Sequence, residues 1–168
     1  MIIVGFHATS KKNAKSILKN GFKLSSNSND WLGKGIYFYP NIQDAIEWKN
    51  SDCYICSFIK LKPYQILNLN KDKGKKIYNK AYETICNRID RINKKLSPQE
   101  YQCSIVNLIW KSNKKIKLII CSFPKNKRKL QTMFDTRERR TEFCIRNDDI
   151  IIKNIIINKE ELANGWNI

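Results

Sequence analysis

The feature that most limits the fold is a change of periodicity in mid-chain. From about residue 73 to 93, Ile77, Ala81, Ile85, Ile89 and Ile92 recur three or four residues apart, and a second helical run from Pro98 to about Trp110 follows Ser97, a good N-cap. On both sides the apolar residues come instead in short strand-like runs. These are residues 2–7, 35–39 and 53–61 before the helices, and 116–123, 141–146 and 150–157 after them. Two short helices are expected between the early strands: 11–19, with Ser10 as cap and Asn20-Gly21 as stop, and 41–49 after Pro40. Few intervals between strands are simple crossovers, so the expectation is a mixed α+β domain with largely antiparallel sheet, carrying a helical insertion at about 71–115. The 168 residues suit one domain, 1–168, and no internal repeat or long linker divides them.

Composition adds a partner class. Thirty-two Lys and Arg against 15 Asp and Glu leave a formal charge of +17, while 42% hydrophobic residues suffice for a core and exclude generic disorder. The 70 Ile, Lys and Asn residues have AT-rich codons, so base composition explains part of the lysine. It leaves unexplained why Glu did not rise in step, and a polyanionic partner is the reading that remains. No apolar run approaches the length of a membrane span, and a cytoplasmic protein without membrane contact is expected. Cys53-Tyr54-Ile55-Cys56 stands alone and there is one histidine, so no metal site is expected; most of the six cysteines sit among apolar residues as reduced core thiols.

Phosphate-loop, dinucleotide-turn and nucleophile-elbow motifs are absent. Three segments remain that carry chemistry. His7 ends the first strand; Trp31-Leu32-Gly33-Lys34-Gly35-Ile36-Tyr37-Phe38 has two glycines that permit close approach of backbone or ligand; and Glu142 opens the apolar strand Phe143-Cys144-Ile145 directly after Arg137-Glu138-Arg139-Arg140. Taken singly, His7 is a core histidine, the glycine segment a turn with a buried strand, Trp48 a core residue on a helix, and Glu142 a surface charge or a partner for Arg139 or Arg140.

Together and in this order the segments resemble the ADP-ribosyltransferases of the His-Tyr-Glu signature, the group of the poly(ADP-ribose) polymerases and diphtheria-type toxins. His7-Ala8-Thr9 is similar to the family's His-Gly-Ser/Thr, with Ala8 in place of glycine, which requires a negative φ at that residue. Gly33-Lys34-Gly35-Ile36-Tyr37-Phe38 is similar to the strand bearing the signature tyrosine, Tyr37. Trp48, eleven residues on, stands where polymerase-type members place a second ring. Glu142-Phe143-Cys144-Ile145, with Asp148-Asp149-Ile150 after it, resembles the catalytic glutamate strand and its partner.

The resemblance implies two packed, mostly antiparallel sheets with NAD as co-substrate in a cleft between them. It implies that Glu142 stabilises the positive ribose of the transition state, that Tyr37 and Trp48 stack on nicotinamide, that His7 bonds the adenine-side ribose, and that Ala8, Thr9 and Gly35 complete the NAD site. Arg140, two residues before Glu142, replaces the Gln or Glu of arginine-modifying toxins and disfavours an arginine acceptor. The segment before the glutamate strand, which builds the acceptor site in this family, here offers Lys125, Lys127, Arg128, Lys129, Arg137, Arg139 and Arg140 with Met133 and Phe134, the cation-and-ring pattern of a single-stranded nucleic-acid groove. The expected reaction is transfer of ADP-ribose to a nucleobase of single-stranded RNA, messenger RNA foremost, by a toxin of a toxin–antitoxin or phage-defence system, with an antitoxin protein as partner. A protein acceptor, single-stranded DNA, or an inactive nucleic-acid-binding module are the alternatives.

Overall fold

In the computed structural model, which describes residues 1–28, 30–48, 51–92, 95–124 and 139–163, seven strands form two sheets. The first sheet has the order β1 (Ile2–Thr9), β3 (Cys53–Lys60), β7 (Ile151–Asn158) and is antiparallel throughout. The second has the order β2 (Ile36–Phe38), β6 (Arg139–Ile145), β5 (Leu118–Pro124), β4 (Ile66–Asn68). Its β2–β6 and β6–β5 pairs are antiparallel and its β4–β5 pair is parallel. Between the sheets lie Ile36, Phe38, Ile59, Leu61, Leu118, Phe143 and Ile145, all nearly inaccessible. Phe6 and Tyr39 exchange two backbone hydrogen bonds of 2.8 Å, which ties β1 to the end of β2.

The helices start and stop where side chains satisfy their open backbone groups. Ser10 Oγ accepts from Asn13 N at 3.2 Å to open α1 (Lys11–Asn20), and Gly21, at φ +77°, closes it with a bond to the Ile17 carbonyl. Asn41 caps α2 (Ile42–Ile46) by accepting from Asp44 N. A reciprocal Ser97–Glu100 box, with Pro98 in the first turn, opens α4 (Pro98–Ser112). A short last helix, α5 (Lys159–Ala163), and the strand β4 lie beyond the sequence reading. β4 is only three residues long and follows a proline-led turn at Pro63–Gln65, too short to show a period.

The helical insertion acquires a topological role through β4. Parallel neighbours cannot be joined by a hairpin, and α3 (Asp72–Ile92) with α4 is the crossover from β4 to β5. Its apolar side, including Ala81, Ile85, Ile105, Val106, Ile109 and Trp110, packs on Ile119, Cys121, Phe123 and Cys144 of the four-stranded sheet. No helix among the described residues is long and apolar enough to cross a membrane.

Candidate active site

One cleft of about 650 Å³ runs between the C-terminal half of β1, the flank of α1 and the edge of β2. That volume is within the range that holds a small organic ligand. His7 and Ala8 come from β1, Gly35, Ile36, Tyr37 and Tyr39 from the β2 segment, Trp48 from beyond α2, and Glu142 from β6. The remaining wall includes Asn13, Ser16, Phe22, Asp30 and Trp31, none of which the sequence reading placed in the site. The usable signal was the Asn20-Gly21 stop, because a left-handed glycine turns the chain back across the end of β1.

His7 is held from three sides. Its Nδ1 lies 2.8 Å from the Tyr37 carbonyl, and its ring meets Phe22 and Phe38 edge-on at 5.2 and 6.0 Å between centroids. A carbonyl only accepts, so Nδ1 carries the proton and Nε2 of the neutral ring is an acceptor. Burial pushes the imidazole below its ordinary pKa, against a smaller opposing effect of the Tyr37 carbonyl. The neutral form therefore dominates at pH 7, and Nε2 is suited to receive a hydroxyl proton from a ligand.

Tyr37 uses its hydroxyl inside the protein. It donates to the Gly33 carbonyl at 2.7 Å and accepts from Leu32 N at 2.8 Å, closing the loop that precedes its own strand. Burial raises its pKa far above the usual tyrosine value, with the Glu142 charge a lesser contributor, so it is not an acid or base near neutrality. With the hydroxyl engaged within the protein, the ring is the part of Tyr37 left to meet a ligand in the cleft that this residue lines. Gly33, at φ +74°, and Gly35 are both required here: a Cβ on Gly35 would come within 2.3 Å of Cys144 Sγ and 2.5 Å of the Ile145 carbonyl.

The crossover helices hold this loop from behind. Trp110 Nε1 donates to the Leu32 carbonyl at 3.3 Å, and Asn107 Oδ1 accepts from Lys34 N at 3.0 Å. Arg146, lying over the Trp110 ring, donates to the Lys34 carbonyl and to Asn107 Oδ1. α4 thus sets the position of the strand that carries Tyr37.

Glu142 is 7% exposed and pairs with Cys121 across β6–β5. One step past the Phe38–Phe143 pair it runs alongside Tyr39, whose hydroxyl is raised in pKa mainly by burial and next by the Glu142 charge. Trp48 is half exposed, its ring 6.4 Å from that of Tyr39 and inclined by 45°. His7, Ala8, Gly35, Tyr37, Trp48 and Glu142 are thereby brought to one cleft. Ala8 lies in the extended β1 ladder opposite Tyr54, where a methyl group is tolerated.

Other candidates lie elsewhere. Thr9 ends β1 opposite Cys53, outside the cleft lining. Arg140 sits behind Tyr39, its guanidinium 5.5 Å from the ring centroid, with Nε 3.5 Å from Asp44 Oδ1 and Nη2 bonded to Glu47. Its charge therefore fastens the α2 segment to β6 instead of facing the cleft. Arg139 opens β6 opposite Pro124. Phe134 and Arg137, like Lys125, Lys127, Arg128, Lys129 and Met133, lie outside the described residues. Among the described residues no three His, Cys, Asp or Glu side chains gather as metal ligands.

No family model matches the sequence. An uncharacterized protein of Methanocaldococcus jannaschii is 24% identical over 180 aligned residues, which take in 88% of this chain and 84% of that one.

Proposed function

We propose that the chain is an NAD-dependent mono-ADP-ribosyltransferase with the ADP-ribosyltransferase fold. The observation that carries this is the convergence of His7, Tyr37, Trp48 and Glu142, from distant segments, on one cleft. Each offers the chemistry that cleavage of NAD needs. Neutral His7 presents an acceptor for a ribose hydroxyl, and the Tyr37 and Trp48 rings provide faces for a flat leaving group.

In the reaction, the bond between nicotinamide nitrogen and ribose carbon breaks, and nicotinamide leaves with the electron pair. Positive charge develops on the ribose, as in glycoside cleavage, and the Glu142 carboxylate stabilises it while bonding a ribose hydroxyl. An acceptor nitrogen or oxygen then forms the new bond to the ribose carbon, its proton passing to Glu142 or water. Tyr37 takes no proton, consistent with its raised pKa.

For the acceptor we propose a nucleobase of single-stranded RNA, messenger RNA foremost, modified by a toxin acting in phage defence and restrained by an antitoxin. The net charge of +17 and the basic segment before Glu142 support this choice. Incubation with labelled NAD and a mixture of RNA, single-stranded DNA and cell protein tests it, with Glu142→Gln as control. Label released by ribonuclease, and absent with the variant, is the expected result. Label released only by protease would refute the RNA acceptor, and NAD consumption unchanged by Glu142→Gln would refute the enzyme.

A further inference from the structure

The first acidic residue in the chain is Asp30. Before it stand five lysines, Lys11, Lys12, Lys15, Lys19 and Lys23, all exposed and all on α1 or the turn after it. None has an ion-pair partner among the described residues. The arrangement works against the helix. Lys11 and Lys12 occupy the first turn, where the helix dipole disfavours cations, and Asp52 Oδ1 offsets this in part by accepting from the Lys11 backbone N–H at 2.8 Å. Lys11–Lys15 and Lys15–Lys19 are like-charged pairs four residues apart on α1, each destabilising by a few tenths of a kcal/mol. A local rule broken repeatedly, with no ion pair to these ammonium groups among the described residues, marks a surface kept for something other than stability.

Position says what that is. α1 is fixed by Ala14, fully buried against Cys53 and Ile55 of β3, and Ile17 packs beside them. At 100° per residue, Lys12, Lys15 and Lys19 share one stripe of α1, and Ser16, which lines the cleft, lies immediately beside it. The lysine stripe is therefore the rim of the cleft, and Lys23 reaches the lining itself. Trp31 and the half-exposed Trp48 supply rings at the same cleft.

We infer that the α1 lysine stripe is the track for the phosphates of a single-stranded nucleic acid whose base is delivered to the cleft. This rests on the transferase reading for the purpose of the contact but not for its detection. Cations in a row beside rings are what a sequence-tolerant single-strand surface needs. An acidic protein would use the row but not the rings.

The test is a Lys12→Gln/Lys15→Gln/Lys19→Gln variant, which leaves Lys23 and the cleft lining in place. Binding of a fluorescein-labelled oligouridylate is followed by anisotropy from about 50 to 200 mM salt. Each lysine that contacts a phosphate contributes about 0.7 to the slope of log affinity against log salt, so the variant slope should fall by about 2. Its affinity would then drop roughly sixteen-fold less than that of the wild type across this range. A control variant, Lys73→Gln/Lys111→Gln/Lys115→Gln, loses the same charge away from the cleft and should keep the wild-type slope.

Equal slopes in the wild type and the α1 variant, or equal loss in both variants, would overturn the track. So would displacement of the oligonucleotide from the wild type by polyglutamate as readily as by unlabelled oligouridylate. A wild type that binds no oligonucleotide yet consumes NAD would remove the track and the RNA acceptor while leaving the transferase. A wild type that binds through α1 and consumes no NAD would do the reverse.

Discussion

Asn107→Ala should loosen the loop at Gly33-Lys34-Gly35 from outside the cleft. Asn107 Oδ1 accepts from Lys34 N and from Arg146 Nη1, both at 3.0 Å, and its Nδ2 faces Cys103 Sγ at 3.3 Å. A neutral bond nets about 1 kcal/mol and one to a charged donor about 1.5–3, reduced here because Lys34 and part of Arg146 reach water. The thiol contact adds little. The sum is about 2–3 kcal/mol, which for a chain of this size lowers the melting temperature by roughly 5–10 °C. Because the Lys34 backbone sits between Gly33 and Gly35, the same loss frees the segment that Tyr37 closes, and NAD affinity should fall with it. Asn107→Asp keeps the acceptor and should restore most of both quantities. Thermal melts and calorimetric titration with NAD, run on the two variants, check this. If alanine lowers stability while NAD binding stays at the wild-type value, α4 is structural support only. If aspartate is no better than alanine, the oxygen is not what holds the loop.

Glu142→Gln should reduce turnover of NAD about 10²–10³-fold with a native far-ultraviolet spectrum, since one electrostatic contact to the transition state is lost; a ten-fold loss or less would remove it from that role. Trp48→Ala should weaken NAD binding by about 1 kcal/mol, roughly five-fold, with little change in stability because the ring is 46% exposed; unchanged affinity in a titration would take Trp48 out of the site. Burial holds the His7 pKa below the unfolded value of 6.5, so the unfolded chain binds the extra proton first. This component of stability is complete above that pH and declines as pH falls below it. His7→Asn, which retains a donor toward the Tyr37 carbonyl, should show a flatter decline in urea melts from pH 7 down to pH 5, and superimposable profiles would refute the buried neutral imidazole.

The parts of the fold that were legible have strong local causes. Ser10, Gly21, Ser97 and Pro98 mark helix ends through backbone chemistry that does not depend on the rest of the chain, and the observed ends fall at them. The strands of both sheets show their apolar runs directly. β4 was hidden because three residues cannot display alternation, and with it went the parallel pair and the meaning of α3 and α4. In the site, His7, Tyr37 and Glu142 stand out by residue type. The α1 and Phe22 wall does not, since Asn13, Ser16 and Phe22 become a lining only once Gly21 reverses the chain. Arg140 shows the limit most clearly: proximity in sequence suggested Glu142 as its partner, whereas the fold brings it Asp44 and Glu47 from α2 and its end.

That exchange of partners bears on where the basic charge acts. An arginine already engaged by two carboxylates and a tyrosine ring has little left for a phosphate, because a polyanion would have to displace partners that the fold already holds in place. The α1 lysine ammonium groups are exposed and have no ion-pair partner among the described residues, so contact with phosphate releases condensed ions without breaking an ion pair within the protein. Net charge alone treats the two groups as equal. Their surroundings assign Arg140 to holding Tyr39 and α2 beside Glu142, and leave the α1 lysines at the rim of the cleft with their charge facing solvent.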